Sequence, residues 1–399
     1  MSSVWLFLLV FTAIASGWLL GRYASGRPAL PGVFPGSKQY YQGLNYLLNE
    51  QPDDTIDTFI QSLEVTPDTL ETHLAVGNLM RRKGEVERAI RIHQNLLARP
   101  NLPPQQLHQA HLELARDYIR AGLLDRAERL LQDLVQQSAE RRDVSLRHLV
   151  EIYQAEQDWQ KAIDTAERLM PRRSVLFNTG EEDPQLAGAI AHFHCELAQQ
   201  AMEKNDLSTT RDQLKQALAR DRLSVRASLL QGALEYRSGN FQDAARSLRR
   251  VRHQNPAMLP EVLDTLQASY DALGERHALR DYLQECLQQY PSTRVTLALC
   301  EEISHAEGAP AAADFLAERL RQRPTLRGLL ALTTMHRDQS EGRSRENLDG
   351  LQSLLQSLLA SKPTYQCLHC GFAGRQLHWL CPRCKQWNSV QPIRGVEGD

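Results

Sequence analysis

Near the C-terminus, four cysteines stand at a spacing that asks for a ligand. Cys367 and Cys370 are separated by two residues, as are Cys381 and Cys384, and ten residues lie between the pairs. Each Cys-x-x-Cys makes a tight knuckle that turns two sulfurs towards one point, so two knuckles supply four soft ligands to one tetrahedral ion. Gly371 permits the backbone turn after the second sulfur, and Pro382 stiffens the second knuckle. Phe372, Trp379 and Trp387 can cover the site. A segment of about 35 residues has too small a core to fold alone, so the ion would supply much of its folding energy. Zinc and iron both suit four thiolates. A closed ligand set has no open position for hydrolysis, which leaves a folding cap or, with iron, an electron carrier. His369 and His378 rank below the four sulfurs as ligands.

The rest of the chain offers little chemistry. Cys195, Cys286 and Cys300 are isolated within helical patterns and read as small buried side chains in a reducing compartment, not as a disulfide framework. His73, His93, His108, His111, His192 and His194 recur without a ligand cluster and read as surface or packing residues. There is no phosphate loop, nucleophile elbow or paired acid/base constellation in a recognisable setting, so a non-enzymatic chain is expected. A formal net charge of −2 gives no footprint for general nucleic-acid binding.

The elements that must position the cysteines come from a repeat. At 399 residues the chain exceeds one ordinary core, and with 6% aromatics it is rich in helix formers instead of sheet formers. A pattern with a period near 34 begins around Ser37: Gly43, Tyr46, Thr55, Phe59, Ser62 and Pro67, then Gly77, Met80, Ala89, His93 and Leu96. A small residue recurs at Ala127, Ala162, Thr210, Ala244, Ala278 and Ala312, with steps from Ala89 of 38, 35, 48, 34, 34 and 34. The two long steps coincide with the insertions Asn101-Leu102-Pro103-Pro104 and Pro171 to Pro184. Gly84, Gly122 and Gly239 mark turns between paired helices. Paired helices with small residues at their contact are the signature of tetratricopeptide repeats, about eight of them. The expected fold is all-α, with an α-solenoid over 37–337 whose concave groove suits an extended peptide or helix of a partner. A linker and amphipathic helix follow over 338–362. There Leu351, Leu354, Leu355, Leu358 and Leu359 form an apolar stripe expected to be a core face. The metal-binding segment takes 363–399.

At the other end, Val4 to Gly21 is an uncharged run long enough, at roughly 27 Å as a helix, to cross a bilayer. Trp5 and Trp18 lie near its ends. Arg22, Arg27 and Lys38 follow it and no basic residue precedes it, so a single-pass anchor over 1–22 is expected, N-terminus outside and the bulk of the chain in the cytoplasm. A cleaved secretory signal, with Ala13-Ile14-Ala15 as its processing site, is the rival reading. It lacks a basic n-region. Residues 23–36, with three prolines and three glycines, read as a tether.

The order of anchor, repeat array and terminal Cys367-x-x-Cys370-Gly371…Cys381-Pro382-x-Cys384, with the tail Lys385-Gln386-Trp387…Pro392-Ile393-Arg394-Gly395, resembles the lipopolysaccharide assembly protein B family of Gram-negative bacteria over the whole chain. The terminal segment resembles a shortened rubredoxin or zinc ribbon, departing from it at Lys385, where rubredoxins usually carry Gly. The resemblance implies an inner-membrane adaptor facing the cytoplasm. It also implies three partners: the membrane protease FtsH, the LpxC deacetylase degraded by it, and a lipopolysaccharide-sensing inner-membrane protein. Oligomeric state stays open, a homo-oligomer included. So do two other readings, a tetratricopeptide scaffold of another envelope-assembly process and an iron-binding redox module.

Overall fold

A computed structural model describes residues 70–98, 102–170, 183–396 and 398, together with Thr12, Ala15, Ser16 and Trp18. Apart from those four residues, which are helical, the expected anchor lies outside the described residues, as do the tether, the first repeat from Ser37 and most of the insertion from Pro171. Among the described residues no helix is long and apolar enough to cross a membrane. The chain divides into two compact units, Met1–Ala121 and Gly122–Asp399.

In the first unit, helices α1 (Leu70–Lys83) and α2 (Val86–Leu97) form a hairpin, and α3 (Pro104–Arg120) follows. Leu70, Leu74, Leu96 and Ala110 make one apolar contact between them. A charged network makes another. The buried Asp117 on α3 accepts from Arg81 Nη1 at 2.7 Å and lies 2.5 Å from His93 Nδ1, while Arg81 Nη2 reaches Glu113 at 2.7 Å. Both carboxylates have lost water; Arg81 answers each of them, and Arg116 Nη1 also pairs with Glu113 at 2.8 Å.

The second unit begins with α4 (Leu124–Gln137) and continues as helical hairpins: α5 (Arg142–Glu156) with α6 (Trp159–Glu167), and α7 (Pro184–Glu203) with α8 (Leu207–Arg220). Next come α9 (Val225–Arg237) with α10 (Phe241–Arg249), α11 (Leu263–Leu273) with α12 (Arg276–Gln289), and α13 (Thr293–Glu307) with α14 (Ala309–Gln322). Between α10 and α11 the chain makes a helical turn, Val251–Gln254, and a 3-10 turn, Pro256–Glu261.

Five of the hairpins share one stop signal. Gly84, Gln157, Asn205, Gly239 and Gly274 all have positive φ. The residue after each donates its N–H to the carbonyl five positions earlier: Glu85 to Met80, Asp158 to Tyr153, Asp206 to Ala201, Asn240 to Glu235 and Glu275 to Tyr270, at 2.9–3.0 Å. This is the Schellman bond that closes a helix C-terminus. Sequence reasoning found Gly84 and Gly239. It did not single out Gly274, and it missed Gln157 and Asn205 because a residue with a Cβ can take the left-handed turn at a modest cost that the closing bonds offset.

The small-residue position is fully buried at Ala89, Ala127, Ala162, Thr210, Ala244 and Ala312. At Ala278 the expectation is off by one: Ala278 is exposed and Leu279 is buried in its place. The inserted turns before α11 shift the phase, so that Leu279, and not Ala278, follows its turn glycine at the distance at which Ala244 follows Gly239.

The array does not stop at residue 337. Helix α15 (Leu326–Asp338) and α16 (Gly342–Ala360) pack as one more hairpin. Of the leucine stripe on α16 only Leu355 is buried, and Leu351, Leu354 and Leu358 stay 45%, 66% and 51% exposed. The expected core face is therefore mostly uncovered. A solenoid helix buries one side on its hairpin partner and the other on the next repeat, and among the described residues no repeat follows α16.

The terminal segment is the one β element among the described residues. Strands β1 (Tyr365–Cys367), β2 (Ala373–Gly374) and β3 (Val390–Pro392) form an antiparallel sheet in the order β2-β1-β3. It belongs to the second unit together with the helices it packs on.

Candidate metal centre and the surface it docks on

The two knuckles are built alike. Gly371 N–H donates to the Cys367 carbonyl at 3.0 Å, and Lys385 N–H donates to the Cys381 carbonyl at 2.9 Å. Both turn residues are left-handed, Gly371 at φ 71° and Lys385 at φ 57°. The departure from glycine at Lys385 thus leaves the turn geometry intact. Strand β1 carries Cys367, and a bridge between Leu380 and Trp387 closes the second knuckle.

This brings the four expected ligands together. Their sulfurs all lie within 4.8 Å of one another. Cys367 Sγ is 3.7 Å from Cys384 Sγ, and Cys370 Sγ is 3.7 Å from Cys381 Sγ. A tetrahedron with metal–sulfur bonds of about 2.3 Å has edges of about 3.8 Å, so the sulfur set fits such an ion and could hold one. Burial pushes the Cys367 thiol up, but hydrogen bonds from Ser389 and from the backbone of Cys370 and His369 outweigh it and hold the group at about 6. At Cys370 the backbone of Phe372 lowers the pKa, while desolvation and the three other sulfurs carry it up to about 11. One sulfur is thus ready to be a thiolate, and the crowding of the others is what a cation would relieve.

Phe372 packs beside the sulfurs, with His378 edge-on at 6.0 Å. The two tryptophans do not cover the site. Trp387 turns outward onto α7, its ring stacked on His192 with centroids 4.5 Å apart and edge-on to Phe193 at 6.0 Å. Its Nε1–H donates to Gln154 Oε1 on α5 at 2.9 Å. Trp379 lies under the Arg226 guanidinium of α9 at 6.0 Å. Tyr365 donates its hydroxyl to Glu261 at 2.9 Å, and Leu326 N–H donates to the Val396 carbonyl at 2.9 Å. The ribbon uses its large aromatic groups to grip the helices, since two amphipathic indoles bury far more surface there than four sulfurs could offer.

His192 is the buried centre of this contact. Its burial and the neighbouring Arg226 charge push its pKa down to about 3, so the ring is neutral and lies flat against the indole. Sequence reasoning placed His192 among surface or packing residues and had no means of seeing its partner. Gln154, Arg226 and Glu261 were missed altogether, because on their own helices they look like ordinary polar positions.

Fold and site together define a tetratricopeptide-repeat protein with a rubredoxin-like metal-binding ribbon. Residues 365–392 match the family described as a rubredoxin metal binding domain, and residues 72–107 and 195–258 match tetratricopeptide repeat families. Along its length the chain is 37% identical to lipopolysaccharide assembly protein B of Escherichia coli K12, covering 98% of this chain and 99% of that protein. It is 33% identical to the protein of the same name from Haemophilus influenzae, covering 98% of each. The chain belongs to the lipopolysaccharide assembly protein B family. Among solved structures, a tetratricopeptide repeat protein from Parabacteroides merdae matches at 14% identity and a TM-score of 0.33, over 72% of this chain and 99% of that one.

Proposed function

We propose that this protein is a non-enzymatic adaptor that restrains lipopolysaccharide synthesis by presenting the LpxC deacetylase to the membrane protease FtsH. The observation that carries this reading is the identity over 98% of the chain to proteins named for lipopolysaccharide assembly. A repeat solenoid supports it physically, because such arrays bind partners along extended surfaces. In this reading the uncharged run Val4 to Gly21 anchors the chain in the inner membrane, with a periplasmic N-terminus and the array in the cytoplasm. A lipopolysaccharide-sensing inner-membrane protein sets its activity. Cys367, Cys370, Cys381 and Cys384 hold one zinc or iron ion that stabilises the ribbon against the array.

Deleting the gene and following LpxC by pulse-chase tests the function. A prolonged LpxC half-life, restored by the wild-type gene, is expected; an unchanged half-life refutes the reading. Alkaline phosphatase fused after Asp399 should be inactive if the topology is right. Elemental analysis distinguishes the metals, zinc giving a colourless protein and iron a coloured one.

A further inference from the structure

Three guanidinium groups gathered at one place have no carboxylate partner among the described residues. Arg319 on α14, Arg323 just beyond it and Arg394 in the C-terminal tail line a cavity of about 570 Å³. No Asp or Glu among the described residues lines it. Several arginines elsewhere in the array are matched, Arg226 with Glu196 at 2.8 Å, and Arg252 with Glu285 and Arg280 with Glu307 at 2.6 Å. Two of the three cavity arginines sit instead over aromatic faces, Arg319 over Phe315 at 5.3 Å and Arg394 over Tyr290 at 4.4 Å. An aromatic face holds a guanidinium plane in place without neutralising it.

Helices α13 and α15 both begin at the cavity, capped by the buried Ser292 and Thr325, which accept from Val295 N–H and Gly328 N–H. Their positive ends border the same space, where the last turns of α12 and α14 oppose them, so the helix ends balance and the guanidinium groups carry the net charge. The lining is also apolar, through Leu287, Leu316 and Leu320. A bare phosphate would leave that surface wet. An extended peptide would cover it, and one edge already has that form, where the Val396 carbonyl takes the N–H of Leu326 at 2.9 Å.

We propose that this cavity binds an acidic segment of a protein partner in extended conformation, with carboxylates on Arg319, Arg323 and Arg394 and apolar side chains against Leu316 and Leu320. Charge complementarity selects the occupant: three guanidinium groups without a carboxylate partner among the described residues attract carboxylates, and the leucines favour a segment in which acidic and apolar residues alternate. The site stands apart from the metal ribbon's aromatic contact with α7, and it does not depend on LpxC being the client.

The test uses the full-length protein in detergent and a fluorescein-labelled decapeptide of alternating leucine and glutamate, read by anisotropy. Saturable binding that weakens with salt is expected. Arg319→Gln and Arg394→Gln should each weaken it about tenfold, Arg394→Lys less, with thermal unfolding unchanged. The leucine–glutamine decapeptide should not bind. Equal affinity for both peptides, or unaltered affinity in both glutamine variants, overturns the proposal. So does binding that appears only in the double variant Glu397→Gln/Asp399→Asn, which would make the chain's own tail the occupant. Arginine-dependent binding of phosphatidylglycerol vesicles without peptide binding overturns it in favour of a lipid surface. Because the probe is a synthetic peptide, a negative result leaves the LpxC half-life experiment unaffected.

Discussion

The imidazole of His192 and the indole of Trp387 lie face to face, with ring centroids 4.5 Å apart and planes 12° from parallel. One belongs to a helix of the repeat array and the other follows the last cysteine of the metal knuckle by three residues. An ion that set the knuckle would therefore also set the indole, and the indole ties α5 and α7 to the ribbon. Replacing Trp387 by Ala removes the stack and the Gln154 bond. A half-buried tryptophan should cost about 2–3 kcal/mol, below the 3–5 kcal/mol of a fully buried one. Trp387→Phe keeps a ring and should cost about 1 kcal/mol through the lost hydrogen bond. Hydrogen exchange of ribbon amides in the metal-loaded protein checks both, and unchanged protection in the alanine variant would show that the stack holds nothing.

The same histidine makes the docked state acid-sensitive. Burial, then the Arg226 charge, lowers its pKa from 6.5 to about 3. Below pH 6.5 the unfolded chain takes up a proton that the folded chain refuses, so stability falls as pH falls, with a slope approaching about 1.4 kcal/mol per pH unit until pH nears 3. Thiolate protonation acts in the same direction, and the comparison must be with His192→Phe. Urea midpoints measured from pH 7 to 4 should fall less steeply in the variant; parallel curves would remove His192 from the acid response.

Metal removal should expose four thiols and no more. Burial pushes Cys195 and Cys300 up to about 12 and raises Cys286, which leaves all three protonated and inaccessible. A thiol-reactive disulfide dye under native conditions should label none of the seven cysteines while the ion is bound and four after chelation. Fast labelling of the loaded protein would argue that the four sulfurs hold no ion.

In the first unit, Asp117→Ala takes the carboxylate from the buried His93 and leaves Arg81 with Glu113 as its remaining carboxylate partner among the described residues. Breaking a buried ionic network by removing one partner costs about 3–5 kcal/mol, far more than an exposed pair contributes. Hydrogen exchange over residues 70–98 should rise accordingly. A change within about 0.5 kcal/mol of wild type would mean that water replaces the carboxylate there.

Close helix contact in the second unit depends on Gly232, where an added Cβ would sit 2.4 Å from Leu248 Cδ2. Gly232→Ala should destabilise by about 1–3 kcal/mol through overpacking. Pairing it with Leu248→Ala should cost less than the sum of the single changes, because the second change removes the clash. Strict additivity in urea denaturation would place the cost elsewhere.

What the sequence determined by itself is local. Two knuckles are each a few residues long, so the spacing of Cys367, Cys370, Cys381 and Cys384 carries their shape, and the sulfurs do converge. Helical periodicity and the glycines at 84 and 239 likewise encode turns closed by bonds between residues five apart. The tertiary structure decided whatever depends on partners distant along the chain. It turned Trp379 and Trp387 away from the sulfurs and onto Arg226 and His192. It put Leu279 where Ala278 was expected, and left most of the α16 leucine stripe uncovered. It also gathered Arg319, Arg323 and Arg394 around one cavity. A residue's type and spacing fix which surface it offers; which surface meets it is set by how helices and ribbon pack, and only there do burial and charge acquire their consequences.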